Sequence, residues 1–145
     1  MLKVLSKAEF DRDIGRLDDR TAKKFGWRVI ASTFPVFDVV FEHATARPIR
    51  LRLKCEDWDD LPPSIEILNE DGTYATEVPP HAGSVFNGSA HPSTGRIFVC
   101  MRGAREFHTH PSHLNELWAN YRGQPGMDLL GLVSQLWRAW KRTVR

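Results

Sequence analysis

Apolar positions along this chain follow two rhythms. Phe10, Ile14 and Leu17 recur at three- and four-residue spacing behind Ser6 and Glu9. That is the pattern of an amphipathic helix entered through a capping box. It predicts a first helix from about Lys7 to Lys24, ended by Gly26. The rhythm then shortens. Trp27 to Ser32, Val36 to His43 and Ile49 to Lys54 are rich in β-branched and aromatic residues. Phe34-Pro35 and Ala44 to Pro48 separate them, so the stretch reads as an antiparallel meander. Ile49, Leu51 and Leu53 alternate with Arg50, Arg52 and Lys54, which gives that strand one wet face. Leu61-Pro62-Pro63 breaks the chain. Ser64 to Leu68 makes a fourth strand, and Asn69 to Gly72 is a turn.

From Thr73 to Thr94 the sequence is loop-like. Ile97 to Met101 is apolar and expected to be buried. Leu114 to Tyr121 reads as a short helix, and Arg122 to Gly126 as a break. Asp128 is placed to cap a final helix with Leu129, Val133, Leu136, Trp137 and Trp140 along one face. The expected class is α+β. One domain over 1–145 carries an N-terminal helix, a four-stranded antiparallel meander, a long loop with a hairpin, and a C-terminal helix.

Composition narrows the class without naming a function. The chain has 145 residues, 41% of them apolar and 26% charged, which is ordinary for a water-soluble domain with a real core. No apolar run approaches a bilayer-spanning length. The start, Met1 to Lys7, reads as too short and too soon charged for a secretory signal. A cytoplasmic protein with reduced thiols at Cys55 and Cys100 is therefore expected. The net charge of +2 gives no ground for a nucleic-acid partner. The basic end, Arg138, Lys141, Arg142 and Arg145, reads as a favourable helix C-terminus.

The chemistry concentrates between Cys100 and His113. That segment holds one of the two cysteines, a carboxylate and three of the six histidines. Glu106, His108 and His110 are spaced by two, so in a strand they share a face. A turn at Arg102-Gly103 is expected to fold Cys100 back beside that row. Sulfur, imidazole nitrogen and carboxylate oxygen are the donors zinc takes. The candidate metal ligands are Cys100, Glu106, His108, His110 and His113. Spacing alone does not choose between His110 and His113. A competing reading makes Cys100 a nucleophile, with His108 or His110 as its base. A thiol cannot serve both purposes at once.

Two resemblances extend this reading. The order of elements, with Leu61-Pro62-Pro63 opening the fourth strand and His91-Pro92-Ser93 ahead of Gly95-Arg96-Ile97-Phe98, resembles the ubiquitin-conjugating (UBC) family. Ser93 stands where that family has Asn, and Phe98 stands where it has the nucleophile, with Cys100 two residues on. The ordered Cys100, Glu106, His108 and His110 or His113 is similar to the bacterial metal-binding "CEHH" domain found in operons for ubiquitin-like proteins. Together they imply a zinc-binding, UBC-like bacterial protein. Its partners would be a ubiquitin-like protein or that protein's activating and conjugating enzymes, with no membrane partner. The alternative implied by the first resemblance is a divergent conjugating enzyme with a thioester at Cys100. A further alternative is a zinc-stapled interaction module.

His108-Thr109-His110-Pro111 also resembles the zinc isopeptidases of the JAMM family. Those carry a downstream Ser and Asp, which Leu117 to Arg122 lacks. The remaining candidates have structural readings. Cys55, beside the acidic run Glu56 to Asp60, is expected to be structural. His91 is expected in a turn, His43 and His81 at the surface, and Trp137 and Trp140 in the core.

Overall fold

The computed structural model describes residues 2–80, 83 and 85–144. Its elements are α1 (Lys3–Ile14), α2 (Asp19–Lys24), β1 (Trp27–Ala31), β2 (Val36–Phe41), β3 (Ile49–Lys54) and β4 (Ser64–Leu68). They are followed by β5 (Phe86–Asn87), β6 (Phe98–Val99), α3 (Arg105–His108) and α4 (Leu129–Lys141). The first four strands form one antiparallel sheet in chain order. Phe37 lies opposite Leu53, and Leu51 opposite Ile67. The fold is thus α+β, with an N-terminal helix, a four-stranded antiparallel sheet and a C-terminal helix. Among the described residues, no helix is long and apolar enough to cross a membrane.

Strand alternation sorts the sheet into two faces. Phe37, Val39, Phe41, Leu51, Leu53, Ile65 and Ile67 are buried in one cluster with Phe10 and Ile14 of α1 and Leu132, Val133, Leu136 and Trp140 of α4. Each such side chain contributes about 1.5–3 kcal/mol on burial. The opposite face is laced with charge. Arg50 pairs with Asp38 at 2.8 Å, and Arg52 with Glu66 at 2.8 Å. Asp128 caps α4, accepting from the Gly131 N–H at 2.8 Å. Trp140 is buried at 1% exposure against Phe41, as expected of the core stripe. Trp137 packs its ring on Trp27 and Phe25.

The first helix departs from the expected Lys7–Lys24 span. It runs from Lys3 to Ile14, and a separate α2 follows from Asp19. Asp18 restarts the chain as a helix cap, accepting from Thr21 N–H at 2.7 Å. Ser6 caps nothing. It sits inside α1, buried, with a hydroxyl that has no protein partner. The basic residues Arg138 and Lys141 do lie in the last turn of α4. His43 is exposed. His81 and Arg145 lie outside the described residues.

One buried carboxylate ties the helical layer together. Asp13 of α1 is 3% exposed. It accepts from Trp58 Nε1–H at 3.0 Å and from the Leu129 N–H at 3.2 Å. Burial pushes its pKa above the ordinary carboxylate value. Replacing it leaves two buried donors without an acceptor. Asp13→Ala is expected to lower the unfolding free energy by about 2–4 kcal/mol. Urea denaturation measures this, and a change under about 0.5 kcal/mol would show that the clamp contributes little.

Candidate active site

The site is built outward from the edge of β4. Arg105 donates its backbone N–H to Pro63 O at 2.9 Å and its Nε–H to Pro62 O at 3.1 Å. Glu106 accepts from the Ile65 N–H at 2.8 Å and from the Ser64 hydroxyl at 2.7 Å. An edge strand presents outward N–H groups that need partners, and the Glu106 carboxylate supplies one. The short helix α3 is thereby clipped to the sheet. His91, 1% exposed, braces it from the other side. Its Nε2 lies 2.9 Å from Glu106 O, and its Nδ1 accepts from the Ser93 N–H. Ser93 thus holds His91 through its backbone.

Cys100 follows β6. Its N–H donates to Val85 O at 2.7 Å, which continues the β5–β6 pairing. The hairpin expected at Arg102-Gly103 is not formed; the pairing here joins β5 to β6. Arg102-Gly103 instead leads the chain into α3. Gly103 has φ +97°, and a Cβ there would lie 2.3 Å from Leu132 Cδ2 of α4. Only glycine lets this turn press on the core.

Because residues 105–108 are helical, the two-residue parity of Glu106, His108 and His110 does not apply. The expectation of one shared strand face is corrected by this local structure. Glu106 is turned to β4. His108 is held at both nitrogens: Nδ1–H donates to Glu116 O at 2.6 Å, and Nε2 accepts from the Gly103 N–H at 3.1 Å. His110 stacks on Phe98 and accepts from Ser112 at Nδ1, capping the turn Pro111–His113. The expected helix over Leu114 to Tyr121 is likewise reduced to a single 3-10 turn, Trp118–Asn120, with another, Pro111–His113, just ahead of it.

His113 is the residue brought to Cys100. Its Nε2 lies 3.8 Å from Cys100 Sγ. Its Nδ1 lies 2.7 Å from Glu116 Oε2. The ring is stacked on Phe107, centroids 3.9 Å apart and 16° between planes. Arg102 grips the other oxygen of Glu116, with Nε at 3.1 Å and Nη2 at 2.9 Å, and its guanidinium lies over the Tyr121 ring. The result is a chain of contacts from Arg102 through Glu116 and His113 to Cys100.

The electrostatics of that chain have a direction. The Arg102 guanidinium, with help from His113, holds the Glu116 carboxyl below its ordinary value. Burial first, and the charge of Glu116 second, push the Cys100 thiol up. The resting sulfur is therefore a thiol. An ionised Glu116 accepts the Nδ1–H of His113, leaving the Nε2 lone pair toward Cys100. A thiol, a correctly oriented base and a carboxylate that stabilises the imidazolium make up nucleophile-activating chemistry. The side chains of His113 and Glu116 are 26% and 29% exposed, so the pair is open to solvent. Cys55, by contrast, is 1% exposed, and burial raises its thiol pKa strongly.

A closed zinc centre takes four donors, and an open one three and a water. Among the described residues no three His, Cys, Asp or Glu side chains gather as a metal-holding group. The separation of Cys100 and His113 suits two donors on one ion. Glu106 and His108 are committed elsewhere, and the His110 ring centroid is 6.2 Å from that of His113. As folded, the five candidates supply a pair and not a quartet. Glu116 carries no expectation from the sequence, and Arg102 only that of a turn. The readable signal was the His113-x-x-Glu116 spacing, which suits an i, i+3 contact.

No protein-family model matches this chain, and no curated protein matches it.

His108 makes both of its bonds only when neutral. Burial holds its pKa below the ordinary 6.5. Between those values the unfolded chain binds a proton that the folded chain refuses. Stability is therefore lost as pH falls through about 6.5 toward the folded pKa. Wild type is expected to lose more stability than His108→Gln between about pH 7.5 and about pH 5.5. Urea melts at both pH values measure this, and parallel losses would contradict it.

Proposed function

We propose that this chain is a thiol-dependent acyl-transfer protein on a UBC-like scaffold. It acts in the cytoplasmic ubiquitin-like modification pathway of a bacterium. Cys100 is the nucleophile, His113 its general base, and Glu116 the group that orients the base. The observation that carries the reading is the 3.8 Å approach of Cys100 Sγ to His113 Nε2, with His113 Nδ1 on Glu116 at 2.7 Å. The substrate class rests on the sequence resemblance. Its structural support is the helix, the four-stranded meander and the proline pair Pro62-Pro63 that enters β4.

In the reaction, Cys100 Sγ attacks the carbonyl of a thioester-activated C-terminus. The Sγ–H proton passes to His113 Nε2. An Sγ–C bond forms, the bond from carbonyl carbon to the donor's sulfur breaks, and the proton leaves with the donor thiol. Glu116 stabilises the imidazolium that forms between those events. His113 takes the base role that the sequence alone offered to His108 or His110. Both nitrogens of His108 are occupied, and His110 faces Phe98 and Ser112.

Incubating the protein with a ubiquitin-like protein carrying a C-terminal thioester tests this. A thiol-sensitive adduct is expected on a non-reducing gel. It should vanish or become thiol-resistant in Cys100→Ser, and form slower by a factor on the order of 100 in His113→Ala. Near-stoichiometric zinc in untagged protein, lost in Cys100→Ser and His113→Ala, with no adduct formed, would overturn the reading in favour of a metal centre.

A further inference from the structure

We infer that Cys100 does not only carry an acyl group but discharges it in place, with His113 and Glu116 making the protein a thioester hydrolase. This rests on the acyl-transfer reading above and specifies the fate of its intermediate.

A protein that merely carries a thioester is served by a thiol without a neighbouring base, because a base hastens loss of the acyl group. Here the base is built in and held from three sides. Phe107 stacks under the His113 ring, Glu116 takes its Nδ1–H, and Arg102 fixes Glu116 with two bonds. None of these contacts involves the Cys100 proton. They all persist once Sγ is acylated, and they leave the Nε2 lone pair facing the new thioester. The groups around His113 are Cys100, Glu116, Arg102, His108 and His110. Of these, only Glu116 bonds to its Nδ1.

Exposure points the same way. With about a quarter of the His113 side chain and 29% of the Glu116 side chain open, the pair lies at the solvent boundary, where the second reactant of a hydrolysis is at hand. The second half-reaction then mirrors the first. Nε2 takes a proton from water, and the water oxygen forms a bond to the acyl carbon. The Sγ–C bond breaks, and the Nε2 proton returns to Sγ. A carboxylic acid leaves, and the thiol is restored. Glu116 acts through His113 and is a positioning residue, as is Arg102 through Glu116.

The test uses p-nitrophenyl acetate as the acyl donor on the full chain. Wild type, His113→Ala, His113→Gln, Glu116→Gln and Glu116→Ala are treated with excess donor until the acetylated fraction is steady. Each is desalted rapidly and followed by intact mass, with Cys100→Ser as the control that assigns the label. Decay is measured on protein already acetylated, so slow acylation of a variant does not disguise the result.

The acetyl group should leave wild type at least about 100-fold faster than either His113 variant. Free imidazole should restore decay in His113→Ala, which a purely structural role would not allow. Glu116→Gln keeps an acceptor for Nδ1–H and should fall between wild type and Glu116→Ala. Equal lifetimes in wild type and both His113 variants would overturn the hydrolase inference and leave the carrier reading standing. No label at Cys100 in any variant would overturn both.

Discussion

The Glu106 carboxylate on the open edge of β4 is the contact from which the rest of the site is hung. A sheet that ends at β4 leaves the Ile65 N–H pointing outward, in a region where the chain is buried. Glu106 is 6% exposed and meets that N–H together with the Ser64 hydroxyl. An isolated carboxylate is costly to bury, and these two bonds, at 2.8 and 2.7 Å, offset that cost. The prolines of Leu61-Pro62-Pro63 take part as acceptors, since Pro62 and Pro63 carbonyls bind Arg105. With α3 clipped in this way, the turn before it has one path. Gly103 is pressed against Leu132, and Cys100 is left at the end of β6 with its sulfur toward the 3-10 turn that carries His113.

The site therefore divides its labour among residues of similar type. Glu106 and His108 are structural, with their polar atoms engaged by backbone groups. Glu116 and His113 are the pair left for chemistry, half-buried and open to solvent. The Arg102–Glu116 pair is exposed enough that it adds little to stability. Its effect is local: it holds Glu116 ionised, and an ionised Glu116 fixes which nitrogen of His113 carries the proton. Glu116 also opposes a free thiolate at Cys100. In the proposed reaction these two effects would keep the Cys100 thiol quiet at rest and make its activation depend on His113.

Much of the fold was legible because burial is periodic. Ile49, Leu51 and Leu53 alternate with charged neighbours, and the strand they predict begins and ends where β3 does. Asp128 and the stripe behind it located α4. The first helix misled because Ser6-x-x-Glu9 imitates a cap while Leu2 begins the helix, and because a helical stripe through Leu17 ignores the restart at Asp18. The site misled for a sharper reason. Residue spacing carries geometric meaning only after the secondary structure is known. Glu106, His108 and His110 share a face in a strand, but the clip on β4 folds residues 105–108 into a helical turn. The same segment still held Cys100 and His113, the two side chains that the fold brings together. What the sequence pattern could not reveal was which histidine the tertiary contacts would leave free.

Every role proposed for the site depends on Glu116 orienting His113 toward Cys100. The most direct test of that orientation is the tautomer of His113, read from nitrogen-15 shifts and two-bond couplings of the imidazole near neutral pH. In the neutral tautomer the proton is expected on Nδ1, with Nε2 bare, and that preference should be lost in Glu116→Ala. A ring protonated at Nε2, or one whose nitrogen shifts report a bound metal, would contradict it.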